Sequence, residues 1–136
     1  MAVEQLLRGL QGAVKDAVAA SDLPTLPIAF WGRIFTPPDD QKWLELIHIP
    51  ANRTDEYWGD ERTYRGTLRL ALHWPNDDMG AYPPMAILDS ITAWFTKGRL
   101  MGPVKVSDVP DAAAPLDLPP ETVYPVAIRY DGFVSI

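Results

Sequence analysis

The chain predicts a single domain that mixes helix and sheet, in the order helix, three strands, helix, two strands. Three observations carry this expectation. Two stretches repeat apolar residues at the helical period, five shorter stretches alternate or end as strands do, and no repeat or linker divides residues 1–136. A chain of 136 residues has room for one core, burying roughly two thirds of its extended surface. Hydrophobic residues at 47% and charged residues at 22% are ordinary for a globular domain, whereas 14 prolines against 9 glycines are not.

The first element runs from Val3 to Val18. Val3, Leu6, Leu7, Leu10, Val14, Ala17 and Val18 form one apolar stripe, while Gln5, Arg8, Lys15 and Asp16 fall outside it. The helix is expected to stop before Ser21-Asp22-Leu23-Pro24, because the residue ahead of proline is pushed out of helical geometry. PIAFWGRIF, residues 27–35, then predicts a strand covered on both faces, ended by the turn Thr36-Pro37-Pro38-Asp39-Asp40. KWLELIHIP, residues 42–50, predicts a second strand closed by Pro50. A third follows in YRGTLRLALHW. Tyr64, Gly66, Leu68, Leu70, Leu72 and Trp74 share one face; Arg65, Thr67, Arg69, Ala71 and His73 share the other.

The turn-rich run Pro75-Asn76-Asp77-Asp78-Met79-Gly80 leads to Pro83-Pro84, which suit the opening of a second helix. Its stripe is Ile87, Leu88, Ile91, Trp94 and Phe95, and Lys97 with Gly98 reads as its stop. VKVSDV, residues 104–109, predicts a short strand. Five prolines within residues 110–125 (Pro110, Pro115, Pro119, Pro120, Pro125) predict an extended loop, and YPVAIRYDGFVSI a closing strand.

Charge is segregated. The net value is -6, which argues against a domain whose whole surface tracks phosphates. Seven carboxylates (Asp39, Asp40, Glu45, Asp55, Glu56, Asp60, Glu61) face only Lys42 and Arg53 between residues 39 and 61, and Arg62, Arg65 and Arg69 follow directly. With no cysteine there is no disulfide, thiolate metal site or cysteine nucleophile. MAVEQLLRGL lacks the basic region followed by an apolar one that a leader is expected to show, and no apolar run approaches the roughly 18 residues of a membrane span. The chain is therefore expected to stay in the cytoplasm unless an assembly carries it elsewhere.

Little in the sequence points to chemistry. His48 and His73 both fall on the less apolar register of a predicted strand, and two histidines fall short of a metal set. Asp39-Asp40 and Asp77-Asp78 read as turn aspartates rather than paired acid-base groups, because both lie among Pro, Asn and Gly. No nucleophile elbow, phosphate loop, dinucleotide fingerprint or zinc-protease motif occurs. Arg65, Thr67 and Arg69 lack the interleaved aromatics of single-strand binders, so this face reads as solvated or subunit-facing. Trp43 and Trp74 read as caps on the core, and Tyr57-Trp58, flanked by charges in a long loop, as part of an interface.

The segments LPIAFWGRIFTPPDDQKWLELIHIPA, YRGTLRLALHWPNDDMGA, ILDSITAWFTKG and YPVAIRYDGF, in that order and spacing, resemble the tail terminator, or tail completion, proteins of long-tailed bacteriophages, the lambda-like group in particular. The turn after Trp74 is longer than in similar proteins. The resemblance implies an α+β fold: a mixed, largely antiparallel sheet of about five strands packed against two helices, in the order α-β-β-β-α-β-β. It further implies a hexameric ring at the head-proximal end of the tail tube, which stops tube polymerisation and offers the surface that joins the head. Its implied partners are copies of itself, the tail tube protein and a head completion or neck protein. DNA would be only passing cargo, no membrane is involved, and neither catalysis nor a cofactor is implied. Such a protein would be assembled in the host cytoplasm and reside in the virion.

A closed ring joins two different patches, which suits segregated charge. The expected contact brings residues 52–61, with Asp55, Glu56, Tyr57, Trp58, Asp60 and Glu61, to Arg62, Arg65 and Arg69 of a neighbour. Residues 110–125 are expected to be ordered by that neighbour. Three alternatives stand beside this: a head-tail connector or neck protein, a small hydrolase using Asp77 or Asp78 with His73, and a nucleic-acid-binding module.

Overall fold

The computed structural model of the chain describes the backbone of residues 2–50 and 61–135 and the side chains of residues 4–49 and 65–132. Helix α1 (Ala2–Ala19) follows the expected stripe, with Leu6, Leu10, Val14, Ala17 and Val18 buried. Strand β1 is only Ile28–Ala29, far shorter than the stretch 27–35 predicts. The alternation there is real, but Gly32 takes φ +67° and turns the chain out of the extended region. Residues 30–42 then run as a loop, which leaves Ile34 fully exposed and brings the Phe35 ring to 5.0 Å from that of Trp43.

Strands β2 (Trp43–Pro50) and β3 (Glu61–Pro75) pair antiparallel from Trp43↔His73 to Pro50↔Gly66. Helix α2 (Tyr82–Thr92) opens with Pro83-Pro84 in its first turn, where the missing N–H groups cost nothing. It ends one turn earlier than Lys97 would place it. Trp94 N–H donates to Ile91 O at 3.2 Å and Phe95 N–H to Thr92 O at 3.0 Å, three-residue bonds that tighten the chain out of the α-helix. Phe95 is nonetheless wholly buried, so the stripe outlasts the helix.

The C-terminal third holds more strands than expected. Short strands β4 (Leu100–Met101), β5 (Val104–Val106), β6 (Asp111–Ala112) and β7 (Leu116–Leu118) precede the long β8 (Glu121–Ser135). β8 pairs with β3 along its whole length on one side and with β7, β6 and β5 in turn on the other. The result is one eight-stranded sheet, in the order β1-β2-β3-β8-β5-β4 with β6 and β7 also on β8. Among the described residues only β1 and β2 run parallel. The α+β class and the two helices agree with expectation, and the expected five strands become eight. The excess arises because much of the proline-rich stretch 110–125 pairs with β8 through residues 111–112 and 116–118, with Pro110, Pro115, Pro119 and Pro120 outside the strands, while β8 itself begins at Glu121 and takes in Pro125.

One core unites the buried side of both helices with one face of the sheet: Leu44 and Leu46, Leu68, Leu70 and Leu72, and Tyr124, Val126, Ile128 and Tyr130. These residues alternate along β2, β3 and β8, so each strand turns its other residues to the opposite face. Among the described residues that second face carries no helix, and the loop of residues 30–42 meets it at Trp43, through Phe35.

Candidate functional site

Strand register decides what the uncovered face presents. On β2 it carries Trp43, Glu45, Ile47 and Ile49; on β3, Arg65, Thr67, Arg69, Ala71 and His73; on β8, Glu121, Val123, Pro125, Ala127, Arg129 and Asp131. Two regions emerge. Near the β3 C-terminal end, His73 stacks on Trp43 with centroids 3.8 Å apart and planes 5° from parallel. Its Nδ1 lies 3.2 Å from Glu121 Oε1 and its Nε2 3.1 Å from Glu45 Oε2, so one ring ties three strands together. Trp43 therefore caps this outer cluster, not the core as expected, whereas Trp74 is buried in the core.

Toward the other end the face is basic and open. Arg65 and Arg69 are exposed and make no ion pair among the described residues, and Arg129 reaches only Asp111, at 3.8 Å between exposed groups. Thr67 lies between them in register, opposite Arg129 on β8 and Ile49 on β2. A shallow concavity of about 440 Å³ is bounded by Arg65, Thr67, Ser107, Asp108, Arg129 and Asp131. Asp131 Oδ1 is buried there with no hydrogen-bond partner. The two guanidinium groups of Arg65 and Arg129 suit polar contacts from another surface.

His48 differs from the sequence expectation. It shares the inward register of Leu44 and Leu46, and its Nε2 shares a 2.6 Å hydrogen bond with Tyr130 Oη. β3 lies between these two strands, so Tyr130 on β8 reaches His48 on β2 by passing beneath Gly66 of β3. A Cβ at residue 66 would stand 2.5 Å from Tyr130 Oη and 3.0 Å from Ile49 O, so only glycine leaves the passage open. Burial lowers the His48 pKa from its ordinary value by desolvating the charged ring. The two histidines thus occupy opposite faces and form no common site.

The aspartate pairs behave as turn residues. Asp40 Oδ1 accepts Lys42 N–H at 3.1 Å, and Asp77 Oδ1 accepts Met79 N–H at 2.9 Å. Among the described residues no cluster of three His, Cys, Asp or Glu could hold a metal ion, and no helix is long and apolar enough to cross a membrane. Of the interface residues expected from sequence, Arg65 and Arg69 stand together on the open face. Glu61 and Arg62 open β3, with side chains beyond those described, and Asp55, Glu56, Tyr57, Trp58 and Asp60 lie outside the described residues. Sequence reasoning missed Arg129 and Asp131, which join Arg65 only through the β3–β8 register. The alternation in Val126, Ile128 and Tyr130 was the signal that could have placed them outward.

Comparison with known proteins completes the picture. The family model described as phage tail terminator protein matches residues 6–130. The chain belongs to the phage tail terminator family. This makes it a structural, tail-associated virion protein, of a family that is not enzymatic. A solved structure superposes on this tail terminator with a TM-score of 0.75 at 24% identity, covering 98% of this chain and 96% of its own, which shows a shared fold. Fourteen chains among solved structures match the tail terminator. No curated protein matches it in sequence.

Proposed function

We propose that this tail terminator forms a ring, hexameric as in the resemblance drawn above, that caps the head-proximal end of the tail tube. There it stops tube polymerisation and offers the surface on which the head joins. Family membership supports the tail role, and one observation carries the ring: the sheet is covered by helices on a single face. The other face presents Ile47, Ile49, Arg65, Arg69 and Arg129, an apolar and cationic surface of the kind that a second protein covers. The partners are further copies of the chain, the tail tube protein and a head completion or neck protein. DNA passes through the ring as cargo, and the net charge of -6 keeps phosphates from adhering to the wall.

Purified tail tube protein, allowed to polymerise with and without this chain, tests the reading. Capped tubes of limited length, with ring density at one end in negative-stain images, are the expected result. An unchanged length distribution with bare ends would overturn it.

A further inference from the structure

His73 stands on the middle strand of three, and strand register surrounds it with acid. Directly opposite it lie Trp43 on β2 and Val123 on β8. Glu45 and Glu121 sit two residues from those positions, one on each side, within the diagonal reach of a long side chain on the same face. Both carboxylates make that reach: Glu45 Oε2 comes to 3.1 Å from Nε2 and Glu121 Oε1 to 3.2 Å from Nδ1. The His73 side chain is only 11% exposed, so its two nitrogens meet carboxylates in place of water. Among the described residues neither glutamate pairs with a lysine or arginine.

An ionised carboxylate only accepts hydrogen bonds, and a neutral imidazole has one N–H. The neutral ring therefore satisfies Glu45 or Glu121 but not both, and turns a bare nitrogen lone pair toward the other. The doubly protonated ring donates to both, in charge-assisted bonds. It also lays a delocalised cation flat against Trp43, with centroids 3.8 Å apart and planes 5° from parallel, and an indole face attracts cations. Asp39 adds a third carboxylate nearby, where it borders a concavity of about 480 Å³ together with Pro37, Pro38, Gln41, Trp43 and Glu121. Lys42, next to Trp43 in sequence, lies instead over the Trp74 ring, 4.5 Å from its centroid. Among the described residues the charged groups set around the ring are thus carboxylates: Glu45 from β2, Glu121 from β8 and Asp39 from the loop of residues 30–42.

We propose that Glu45, His73 and Glu121 form a proton-operated clamp. With the ring doubly protonated, the clamp holds β2, β3 and β8 together at the Trp43 end of the outer face. When the ring loses one proton, one strand's carboxylate is left facing a bare nitrogen and its link opens. The same loss adds one negative charge beside Asp39, so the clamp also sets the charge of that end of the face. His48, on the inner face, answers acid in the opposite sense, because burial there opposes the charged ring. The clamp belongs to the single chain and operates whether or not a ring of subunits forms.

Urea unfolding of the native chain and of His73→Gln, at about pH 6 and about pH 9, tests the clamp. The native midpoint should exceed that of His73→Gln by about 0.3 M more at the lower pH than at the higher, and the His48 contribution, common to both proteins, cancels in the difference. Glu121→Gln supplies a readout that a mere packing role would not move. Its amide donates to a bare nitrogen, so the neutral ring is satisfied on both sides. In that background most of the pH dependence of the His73→Gln effect should disappear. The ring is also followed directly by nitrogen NMR in His48→Gln, where His73 is the one remaining histidine. At about pH 7 the doubly protonated ring should make up a larger share with Glu121 in place than with Glu121→Gln. A native advantage over His73→Gln that is equal at both pH values, or larger at the higher, would overturn the clamp. So would a ring whose protonation is the same with Glu121→Gln, and this second measurement decides alone if His73→Gln does not fold.

Discussion

The two faces of β2, β3 and β8 are built from the same strands, often from adjacent residues, yet they answer to different constraints. Inward, Leu44, Leu68, Leu70, Leu72 and Ile128 are completely buried. Outward, Arg65, Arg69 and Arg129 stand in solvent one residue away. The inner face is closed by α1 and α2, and its composition follows from excluding water. Among the described residues no helix covers the outer face; Phe35 reaches its Trp43 end, where Ala71 and Val123 are buried, and the arginines stand open at the other. Period-2 alternation here separates the helix-covered core from the face that carries the exposed arginines.

The largest expected effect tests the inner face. Leu70→Ala should lower unfolding free energy by about 3 kcal/mol, because a wholly buried leucine leaves a cavity when truncated. Urea denaturation measures it, and a loss below about 1 kcal/mol would mean that the inner face is looser than its burial shows. Gly66→Val comes next, at about 2 kcal/mol, because the new side chain must displace the Tyr130 hydroxyl and the Ile49 carbonyl. Tyr130→Phe should cost less, about 1 kcal/mol, since it keeps the ring and removes the oxygen that meets His48.

A pH series sharpens the comparison further. Desolvation holds the His48 pKa below the ordinary 6.5, so as pH falls through that value the unfolded chain takes up a proton before the native one does. The His48 contribution is therefore complete above pH 6.5 and is lost as pH falls from there to the lowered native value. His48→Gln should flatten the decline in unfolding free energy across this window relative to the native chain. An identical slope in both proteins would remove the buried histidine from the account. The smallest expected change in stability belongs to the outer face: Arg65→Glu with Arg69→Glu should stay within about 0.5 kcal/mol of native. The same pair should abolish assembly in light scattering, and a double variant that assembles normally would show that this face is solvated and nothing more.

Several parts of this architecture were legible in the chain. The α1 stripe, the leucine alternation in β3 and the start of α2 at Pro83-Pro84 are local patterns, and local geometry reproduces them. Turn chemistry was equally readable at Asp40 and Asp77, whose side chains bond backbone two residues on. Other features depend on distant partners. Residues 27–35 alternate like a strand, but a positive φ at Gly32 leaves only Ile28 and Ala29 paired. Residues 110–125 look unable to form strand, yet residues 111–112 and 116–118 pair with β8, and 121–125 are its first residues. His48 sits in an apolar alternation that its own polarity disguises, and only Tyr130, 82 residues away, explains it.

By itself, the sequence determined that this chain makes two amphipathic helices and a sheet with one leucine-rich and one arginine-bearing face, because those properties reside in side-chain period. It also determined that aspartates without bases mark one proline-rich stretch. Tertiary structure alone decided that this stretch lies along β8 at the edge opposite β2, and that Arg129 and Asp131 join Arg65. Pairing between remote strands sets which residues become neighbours, and register along an antiparallel ladder depends on how the whole core packs.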